Sequence, residues 1–304
     1  MPDGLFAFVS NEALRPRSVM KKISSELYSK IDTPKESKLE LEYLGTAGFI
    51  LRSQERVIVI DPFVSRPGLF ETGFTRLKPK TALINKLIPN ADDVLIGHAH
   101  HDHVLDAPDL CKATGARFIG SPSACNVARA AGLSETQIRE TRGREDIGCG
   151  EDARVRGLPS RHGKVYFGRV PLTGEITEPP PWPPRFYELR HGLVLNWLVE
   201  MSGMKVVHVD SADFVEEELE GVKADVVCLC AIGRKYRPNY TQTIIEMLSP
   251  KYVIACHWDL FFTPFEATPR LLSGVDLPGF IEEIRQAGAT PVVLEFGGKL
   301  GLGP

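Results

Sequence analysis

The sequence predicts an α/β fold in which two β-sheets pack together and helices cover their outer faces. The chain has 304 residues, of which 43% are hydrophobic, so it can bury a large core. Short apolar runs typical of strands recur from Leu39 onward in both halves, and helical patterns lie between some of them. We therefore expect one domain, a four-layer αβ/βα sandwich, over residues 39–304.

The expected strands are short apolar runs that follow one another along the chain. Their sequences are LELEYLG, GFILRS, RVIVIDPF, DVLIGH, RFIGS, ARVRGLP, LVLNWLVE, KVVHVD, DVVCLCAIG, KYVIACH and PVVLEF. Helical patterns predict helices at residues 107–114, 123–131, 239–248 and 279–287. A further helix is expected over residues 18–31, within a polar N-terminal extension of residues 1–38.

Residues 169–190 interrupt this rhythm with the segment RVPLTGEITEPPPWPPRFYELR. Its six prolines cannot donate hydrogen bonds to a sheet, which predicts a stiff surface excursion. Trp182, Phe186 and Tyr187 give it an apolar surface that a solvated loop would not need. We expect the segment to form a wall of the functional site, and a contact in a homo-oligomer is the alternative.

Charge and composition argue against several classes of function. The net charge of −3, without a stripe rich in lysine and arginine, argues against a nucleic-acid partner. No apolar run approaches the roughly 18 to 20 residues of a transmembrane segment. Asp3 and Glu12 do not fit a cleaved secretion signal. Six scattered cysteines lack disulfide-framework spacing, so we expect reduced thiols and a cytoplasmic protein.

Residues 94–103, VLIGHAHHDH, place four of the eight histidines in six positions directly after an apolar run. We expect His98, His100, Asp102 and His103 to project from one tight loop at the end of a strand. Imidazole and carboxylate groups at this density suit a first-row divalent ion such as zinc. A solvated histidine-rich loop that binds metal adventitiously is the alternative.

Three further residues occupy the same kind of position. His162 follows ARVRGLP, Asp210 ends KVVHVD, and His257 ends KYVIACH. Taken singly, such a histidine is more often a hydrogen-bonded structural residue and such an aspartate a turn former. Strand ends gathered along one edge of a two-sheet sandwich would bring all seven residues together, and the set therefore predicts a metal site.

The pattern His98-x-His100-x-Asp102-His103 matches the His-x-His-x-Asp-His signature, and with it the chain resembles the metallo-β-lactamase-fold hydrolases. LGTAGFI and VIDPF look like the opening hairpin and the Asp-containing strand of that family. The resemblance covers about residues 39–300. It is closest to the branch that contains the ascorbate-6-phosphate lactonases and the N-acyl-phosphatidylethanolamine phospholipase D enzymes.

The resemblance implies a sandwich of two pseudo-equivalent halves that carries two divalent metal ions, with zinc expected and manganese as the alternative. The implied ligands are His98, His100 and His162 for one ion, Asp102, His103 and His257 for the other, and Asp210 as the bridge between them. A metal-bridging hydroxide, oriented by Asp102 and Asp210, would then cleave an ester, a lactone or a phosphodiester. The fold alone does not choose among these bonds.

Some residues depart from the family pattern. The usual Gly-Asp-Thr-Gly is here Val209-Asp210-Ser211-Ala212, preceded by His208. Strict strand alternation would turn His208 to the same side as Asp210, so it is a candidate catalytic residue, and a buried histidine satisfied by backbone is the alternative. His101 lies at a variable position and is expected to point away from the ions. Asp61 is expected to fix a loop near the site.

Two segments rich in aromatic residues supply candidates for an apolar substrate pocket. They are DPFVSRPGLFETGF, with Phe63, Leu69, Phe70 and Phe74, and HWDLFF, with Trp258, Phe261 and Phe262. Core packing is the alternative for each. Residues 233–240 contain three cations that could bind an anionic group, and a solvated loop is the alternative. The expected partner is thus a small-molecule substrate with an apolar or anionic portion.

Two other functions remain as alternatives to hydrolysis. A non-catalytic metal-binding interaction module is disfavoured because loss of catalysis often removes ligands, whereas all seven are present. A di-metal redox enzyme is disfavoured because redox members of the family typically carry a carboxylate at the second histidine position, where this chain has His100.

Overall fold

The computed structural model describes residues 23–29 and 37–303. It contains two seven-stranded β-sheets. The first sheet consists of β1 (Leu39–Gly45), β2 (Gly48–Arg52), β3 (Val57–Ile60), β4 (Asp93–Leu95), β5 (Arg117–Gly120), β6 (Ile138–Glu140) and β14 (Lys299–Leu302). The second consists of β7 (Asp146–Gly148), β8 (Ala153–Ser160), β9 (Val194–Met201), β10 (Met204–Val209), β11 (Val226–Cys230), β12 (Tyr252–Cys256) and β13 (Thr290–Val292).

Both sheets combine an antiparallel part with a parallel part. The first has the strand order β14-β1-β2-β3-β4-β5-β6, antiparallel from β14 to β3 and parallel from β3 to β6. The second has the order β13-β12-β11-β10-β9-β8-β7, parallel from β13 to β10 and antiparallel from β10 to β7. The two halves thus resemble each other in architecture, and parallel strands that end together create one polar edge.

In the part of the chain that the structure describes, seven α-helices accompany the sheets. They are α1 (Leu69–Phe74), α2 (Thr81–Leu87), α3 (His101–Val104), α4 (Ala107–Thr114), α5 (Pro122–Ala130), α6 (Tyr240–Leu248) and α7 (Leu277–Gln286). Longer helices begin at recognisable caps: the Ser121 hydroxyl accepts from the Ala124 N–H at the start of α5, and Asp276 accepts from Gly279 at the start of α7. Within the described ranges, none of the helices has the length and apolar character needed to cross a membrane.

The core has the layers that the sequence predicts. Phe49 of β2 and Trp197 of β9 belong to one buried cluster between the sheets, and Phe280 of α7 extends that cluster behind the second sheet. On the outer face of the first sheet, Val59 packs in a second cluster with Leu110 of α4. The expected αβ/βα sandwich is therefore confirmed.

All eleven predicted strands and the four predicted helices of the domain are present, with bounds that shift by a few residues. The strands β6, β7 and β14 and the helices α1, α2 and α3 were not predicted, because each is short and its residues show no clear period. Sheet pairing with a neighbour, rather than local pattern, defines β6 and β7.

The prediction of a helix over residues 18–31 is wrong for residues 23–29, the part of that range that the structure describes. Residues 23–29 form only a 3-10 turn at Ser25–Leu27, and Tyr28 is extended. The Ser29 N–H donates to the carbonyl of Val293 at 2.9 Å, and Leu27 and Tyr28 pack on the core. In this segment, hydrogen bonding to and packing against the domain thus take the place of a continued helix. The remaining residues of the expected helix lie outside the described residues.

Candidate metal centre

Seven predicted ligands meet at one edge of the sandwich. Strands β4, β8, β10 and β12 all end at this edge, and each is followed within a few residues by a ligand candidate. The groups whose ring nitrogens or carboxylate oxygens lie within 4.8 Å of one another are His98–His100–His162, His98–His103–Asp210, Asp102–His103–His257 and Asp61–His208–Asp210. The structure therefore brings together every residue of the predicted set.

The loop after β4 is shaped by close packing at Gly97. A Cβ at this position would lie 2.1 Å from Asp210 Oδ1, so only glycine leaves room for that carboxylate. The Gly97 carbonyl accepts from the Leu195 N–H at 2.8 Å, and the Ala99 N–H donates to the His191 carbonyl at 3.0 Å. These hydrogen bonds hold the loop that follows β4 against the start of β9 and the residues just before it.

In the first group of three, a ring nitrogen of each histidine remains available as a ligand. His98 Nδ1 lies 2.7 Å from Asp210 Oδ2, and His162 Nδ1 lies 2.8 Å from the Gly163 carbonyl oxygen. We assign the proton to Nδ1 in both rings, because each faces an acceptor, and this leaves Nε2 with a lone pair. His98 Nε2 lies 2.8 Å from His100 Nδ1, and each of the three rings places a nitrogen within 4.8 Å of the others.

Burial keeps these three imidazoles neutral. It lowers the pKa of His98 to about 4, although the Asp210 carboxylate opposes the shift, and it lowers the pKa of His162 to about 3. Burial, reinforced by the neighbouring histidines, also lowers the pKa of His100 well below its usual range. Neutral imidazole is the form that binds a metal ion.

The second group of three, Asp102–His103–His257, holds more charged side chains than the first. Asp102 Oδ2 lies 3.4 Å from His257 Nε2 and 3.9 Å from His103 Nε2. Burial opposes charging of His103, but the carboxylates of Asp210 and Asp61, together with that of Asp102, outweigh it and raise the pKa of His103 well above its usual range. Despite its burial, Asp102 keeps a lowered pKa because of the nearby histidines.

Asp210 lies between the two groups. Its Oδ2 faces His98 of the first group, and its Oδ1 lies 3.1 Å from His103 Nδ1 of the second. The backbone N–H of Asp210 donates to Asn196 Oδ1 at 3.1 Å, which fixes the end of β10. Burial disfavours its ionisation, but His98 and His103 hold the pKa of this carboxyl well below its usual range.

This donor set fits two divalent cations. Imidazole nitrogen and carboxylate oxygen are among the usual zinc ligands of proteins, and each group of three leaves room in a four-coordinate shell for a bridging group. Asp102 and Asp210 are buried carboxylates, and buried charges are normally paired or coordinate metals. His103 Nδ1 lies 3.1 Å from the buried Asp210 Oδ1 but bonds to Asp61, so among the described residues this oxygen has no hydrogen-bond partner.

Asp61 and His208 lie beneath the ligands. Asp61 Oδ1 accepts from the Gly97 N–H at 2.8 Å, and its Oδ2 lies 2.9 Å from His103 Nδ1, so it fixes the loop as expected. His208 is fully buried, and its Nε2 lies 2.8 Å from the Ala47 carbonyl oxygen. It does not line the cavity described below, because Phe49 and the backbone enclose it.

The candidate ligand His257 is held in place through a buried ion pair. Its backbone has a positive φ of 52°, and its N–H donates to the Thr46 carbonyl at 2.5 Å. Thr46 is fixed in turn by Asp259, which accepts from the Thr46 N–H at 2.7 Å and forms a fully buried ion pair with Arg66. The turn before β2 and the loop after β12 are thereby locked together.

A cavity of about 400 Å³ opens above the seven candidate ligands. Its walls are largely apolar, and the residues that form them include Leu69, Val165, Tyr166, Pro171, Leu172, Phe186, Ile232, Phe261 and Phe262. The predicted apolar pocket is thus present, but with fewer of the predicted aromatic residues. Phe63 and Trp258 are fully buried in the core, whereas Phe70 and Phe74 are exposed outside the cavity.

The proline-rich excursion contributes to this cavity through Pro171, Leu172 and Phe186. Trp182, the residue expected to form the wall, instead packs on the two core clusters beside the first sheet. The reason is that the segment passes over α5: the Asn126 side chain donates to the Ile176 carbonyl at 2.8 Å. The segment therefore lines the cavity through residues on either side of Trp182 and not through Trp182 itself.

The three cations of residues 233–240 do not reach the cavity. Arg234 is ion-paired with Glu283 at 3.2 Å, and Arg237 pairs with Asp213 and covers the Phe214 ring. They line a separate surface cavity beside α6 and α7. The expectation that this segment binds an anionic part of the substrate is not supported, because two of its cations already have acidic partners.

Two histidines adopt positions that the sequence did not reveal. His101 belongs to none of the possible metal groups, and its ring is buried in the cavity wall because the chain continues into α3 and not as an extended loop. His191 stacks on His162 with ring centroids 5.7 Å apart and contacts His100 edge-on at 5.9 Å. Only a prediction of the four-residue helix α3 could have indicated the direction of His101.

Comparison with known proteins agrees with the fold. The family model described as "Beta-lactamase superfamily domain" matches residues 40–257. A relative named a UPF0173 metal-dependent hydrolase, from Symbiobacterium thermophilum, is 26% identical over 268 residues, which are 85% of this chain and 98% of the relative.

Two solved structures share the fold. Igni18, a metallo hydrolase from the archaeon Ignicoccus hospitalis, matches with a TM-score of 0.59 at 19% identity, covering 88% of this chain and 99% of that chain. CmlA, a diiron β-hydroxylase from Streptomyces venezuelae, matches with a TM-score of 0.58 at 16% identity, over 88% of this chain and 55% of that chain. At these identities the likeness concerns the fold alone.

Proposed function

The chain belongs to the β-lactamase superfamily, and on this premise we propose that it is a metal-dependent hydrolase with two metal ions. The observation that carries the proposal is the pair of ligand groups joined by Asp210 at the floor of an apolar cavity. We propose zinc as the metal, with manganese as the alternative, since imidazole and carboxylate ligands accept both. The six cysteines are free and buried, which supports a cytoplasmic location.

Two bound divalent ions would polarise the substrate oxygen and lower the pKa of a water that serves as the nucleophile. The chain's own residues then orient the reactants. Asp102 and Asp210 line the cavity floor and can accept hydrogen bonds from that water. His208 does not line the cavity, so its proposed role is to support Asp210 and Asp61 from below.

The cavity indicates the shape of the substrate. Its apolar walls fit a small molecule with an aliphatic or aromatic body, and its floor presents the ligands to one end of that body. An ester, a lactone or a phosphodiester is the proposed bond. The narrower resemblance to the lactonase and phospholipase D branch stays a prediction.

Metal content and turnover test the proposed function. Protein purified without chelators should contain about two divalent ions per chain. It should hydrolyse at least one of an aryl ester, an aromatic lactone and bis(4-nitrophenyl) phosphate, lose that activity on chelation and regain it with zinc or manganese. Absence of metal, without uptake on addition, would contradict the metal centre. Two ions without turnover would favour the binding module, and bound iron with oxidation of a substrate would favour the redox enzyme.

A separate prediction concerns the residues of the proline-rich segment that line the cavity. Phe186→Ala and Leu172→Ala should each raise KM by roughly 10-fold, because an apolar contact in a pocket is worth about 1–3 kcal/mol, while metal content stays unchanged. Tyr187→Ala is the matched control, since Tyr187 is 49% exposed and outside the cavity. A change in oligomeric mass without a change in KM would instead identify the segment as an interface.

A further inference from the structure

The buried cation Arg66 connects three segments at the edge of the cavity. Its guanidinium forms an ion pair with Asp259, and both side chains are fully buried. Nε of the same side chain donates to the Thr263 carbonyl at 2.6 Å, and Nη2 donates to the Leu260 carbonyl at 3.2 Å. Nη1 donates to the Thr46 hydroxyl at 3.2 Å. One side chain from the segment after β3 thus holds both the loop after β12 and the turn between β1 and β2.

Each of these three segments carries or supports part of the functional site. Leu69 lines the cavity from α1, three residues after the arginine. Phe261 and Phe262 line it from the loop after β12, between the two carbonyls that accept from the arginine. The carbonyl of Thr46 accepts from the N–H of His257, a candidate metal ligand, at 2.5 Å. The arginine therefore lies behind both a ligand and two walls of the cavity.

Stability alone does not explain a charge pair in this place. Desolvation of two buried charges offsets much of their attraction, so well-packed apolar residues are often at least as stabilising. Apolar residues could fill the space, but they could not fix backbone groups through directed hydrogen bonds. Asp259 supplies such bonds as well, since its Oδ1 accepts from the Thr46 N–H and from the Tyr43 hydroxyl, both at 2.7 Å. The pair therefore fixes the relative positions of the three segments.

We propose that Arg66 and Asp259 are positioning residues that control retention of one of the two metal ions, the ion of the second group of three. Neither residue is a candidate ligand or lines the cavity, so both act through His257. They fix Thr46, whose carbonyl holds the His257 backbone at its positive φ of 52°. This inference rests on the proposed two-metal hydrolase, and it makes the second metal position depend on residues outside the ligand set.

The test uses the full chain, zinc and the double variant Arg66→Met/Asp259→Asn, which removes both charges together. The new amide keeps an oxygen that can accept from the Thr46 N–H, so the fold should persist with a Tm close to that of the wild type. Competition with a chromogenic chelator measures the Kd of each zinc ion. One Kd should rise by at least about 10-fold, the loss typical of residues that support a ligand, and the other should stay unchanged.

Two further variants show how the pair acts. His257→Ala removes the ligand itself, and adding the double variant to it should cause no further loss of zinc affinity, because the pair acts through that ligand. Arg66→Lys keeps the charge but not the planar fork that reaches four acceptors, so it should show the same selective loss. In metal-free double variant, the backbone amides of residues 257–263 should exchange hydrogen faster than in the wild type.

Arg56→Met is the matched control. It breaks the ion pair between Arg56 and the buried Asp93 at the start of β4, whereas the candidate ligands follow the end of that strand. Both zinc Kd values should remain those of the wild type, whatever the change in Tm. An equal effect of the control and the double variant on zinc, an equal rise of both Kd values, or no rise at all would overturn the proposal. A wild type that binds no zinc would refute the metal centre itself, whereas two bound ions without turnover would refute only hydrolysis.

Discussion

Asp210→Asn is expected to leave the purified protein with one metal ion or fewer and to lower turnover by at least about 100-fold, more than the loss typical of residues that only support a ligand. The reason is the position of the carboxylate, which lies between His98 and His103 and faces both groups of ligands. An amide of the same shape removes the negative charge that offsets the two cations. Elemental analysis after gel filtration into metal-free buffer measures the loss.

The control for this prediction is His101→Ala. His101 neighbours Asp102 in the chain but belongs to none of the possible metal groups, so the variant should retain the metal content of the wild type. Equal metal loss in both variants would mean that the ligand set is wrong. Loss of turnover with full metal content in Asp210→Asn would instead limit Asp210 to orienting the water.

Gly97→Ala is expected to abolish metal retention although it changes no ligand. The added Cβ would lie 2.1 Å from Asp210 Oδ1 and 2.4 Å from its Cγ. Asp210 cannot easily move away, because its N–H is bonded to Asn196 and its carboxylate to His98. The clash should therefore displace the carboxylate and destabilise the fold by about 1–3 kcal/mol, the usual cost of overpacking.

Gly148→Ala is the matched control, since it adds the same methyl group in strand β7 where no heavy atom lies within 4 Å. It should keep the metal content, turnover and Tm of the wild type. Thermal unfolding and elemental analysis of both variants make the comparison. If Gly97→Ala retained both ions with full activity, the carboxylate of Asp210 would not occupy the place between the two groups.

Local sequence pattern alone predicted eleven of the fourteen strands and the polar residues that follow four of them. Apolar runs such as the one before Gly97 mark buried strands, because period and composition are local properties. His98, His162 and His257 could be proposed as neighbours because each follows a strand, and strands that end along one edge of the sandwich bring such residues together. The αβ/βα sandwich and the convergence of the seven candidate ligands both follow from this reasoning.

The directions of the surrounding side chains, by contrast, depend on the folded chain as a whole. Trp182 turns to the core rather than to the cavity, and Arg234 turns to Glu283, because contacts with residues far away in the chain select one orientation among several. His101 is the clearest case: a single short turn of helix after the strand directs its ring into the cavity, and four residues are too few to show a period. Direction within a short element depends on what packs against it, and that information lies outside the segment itself.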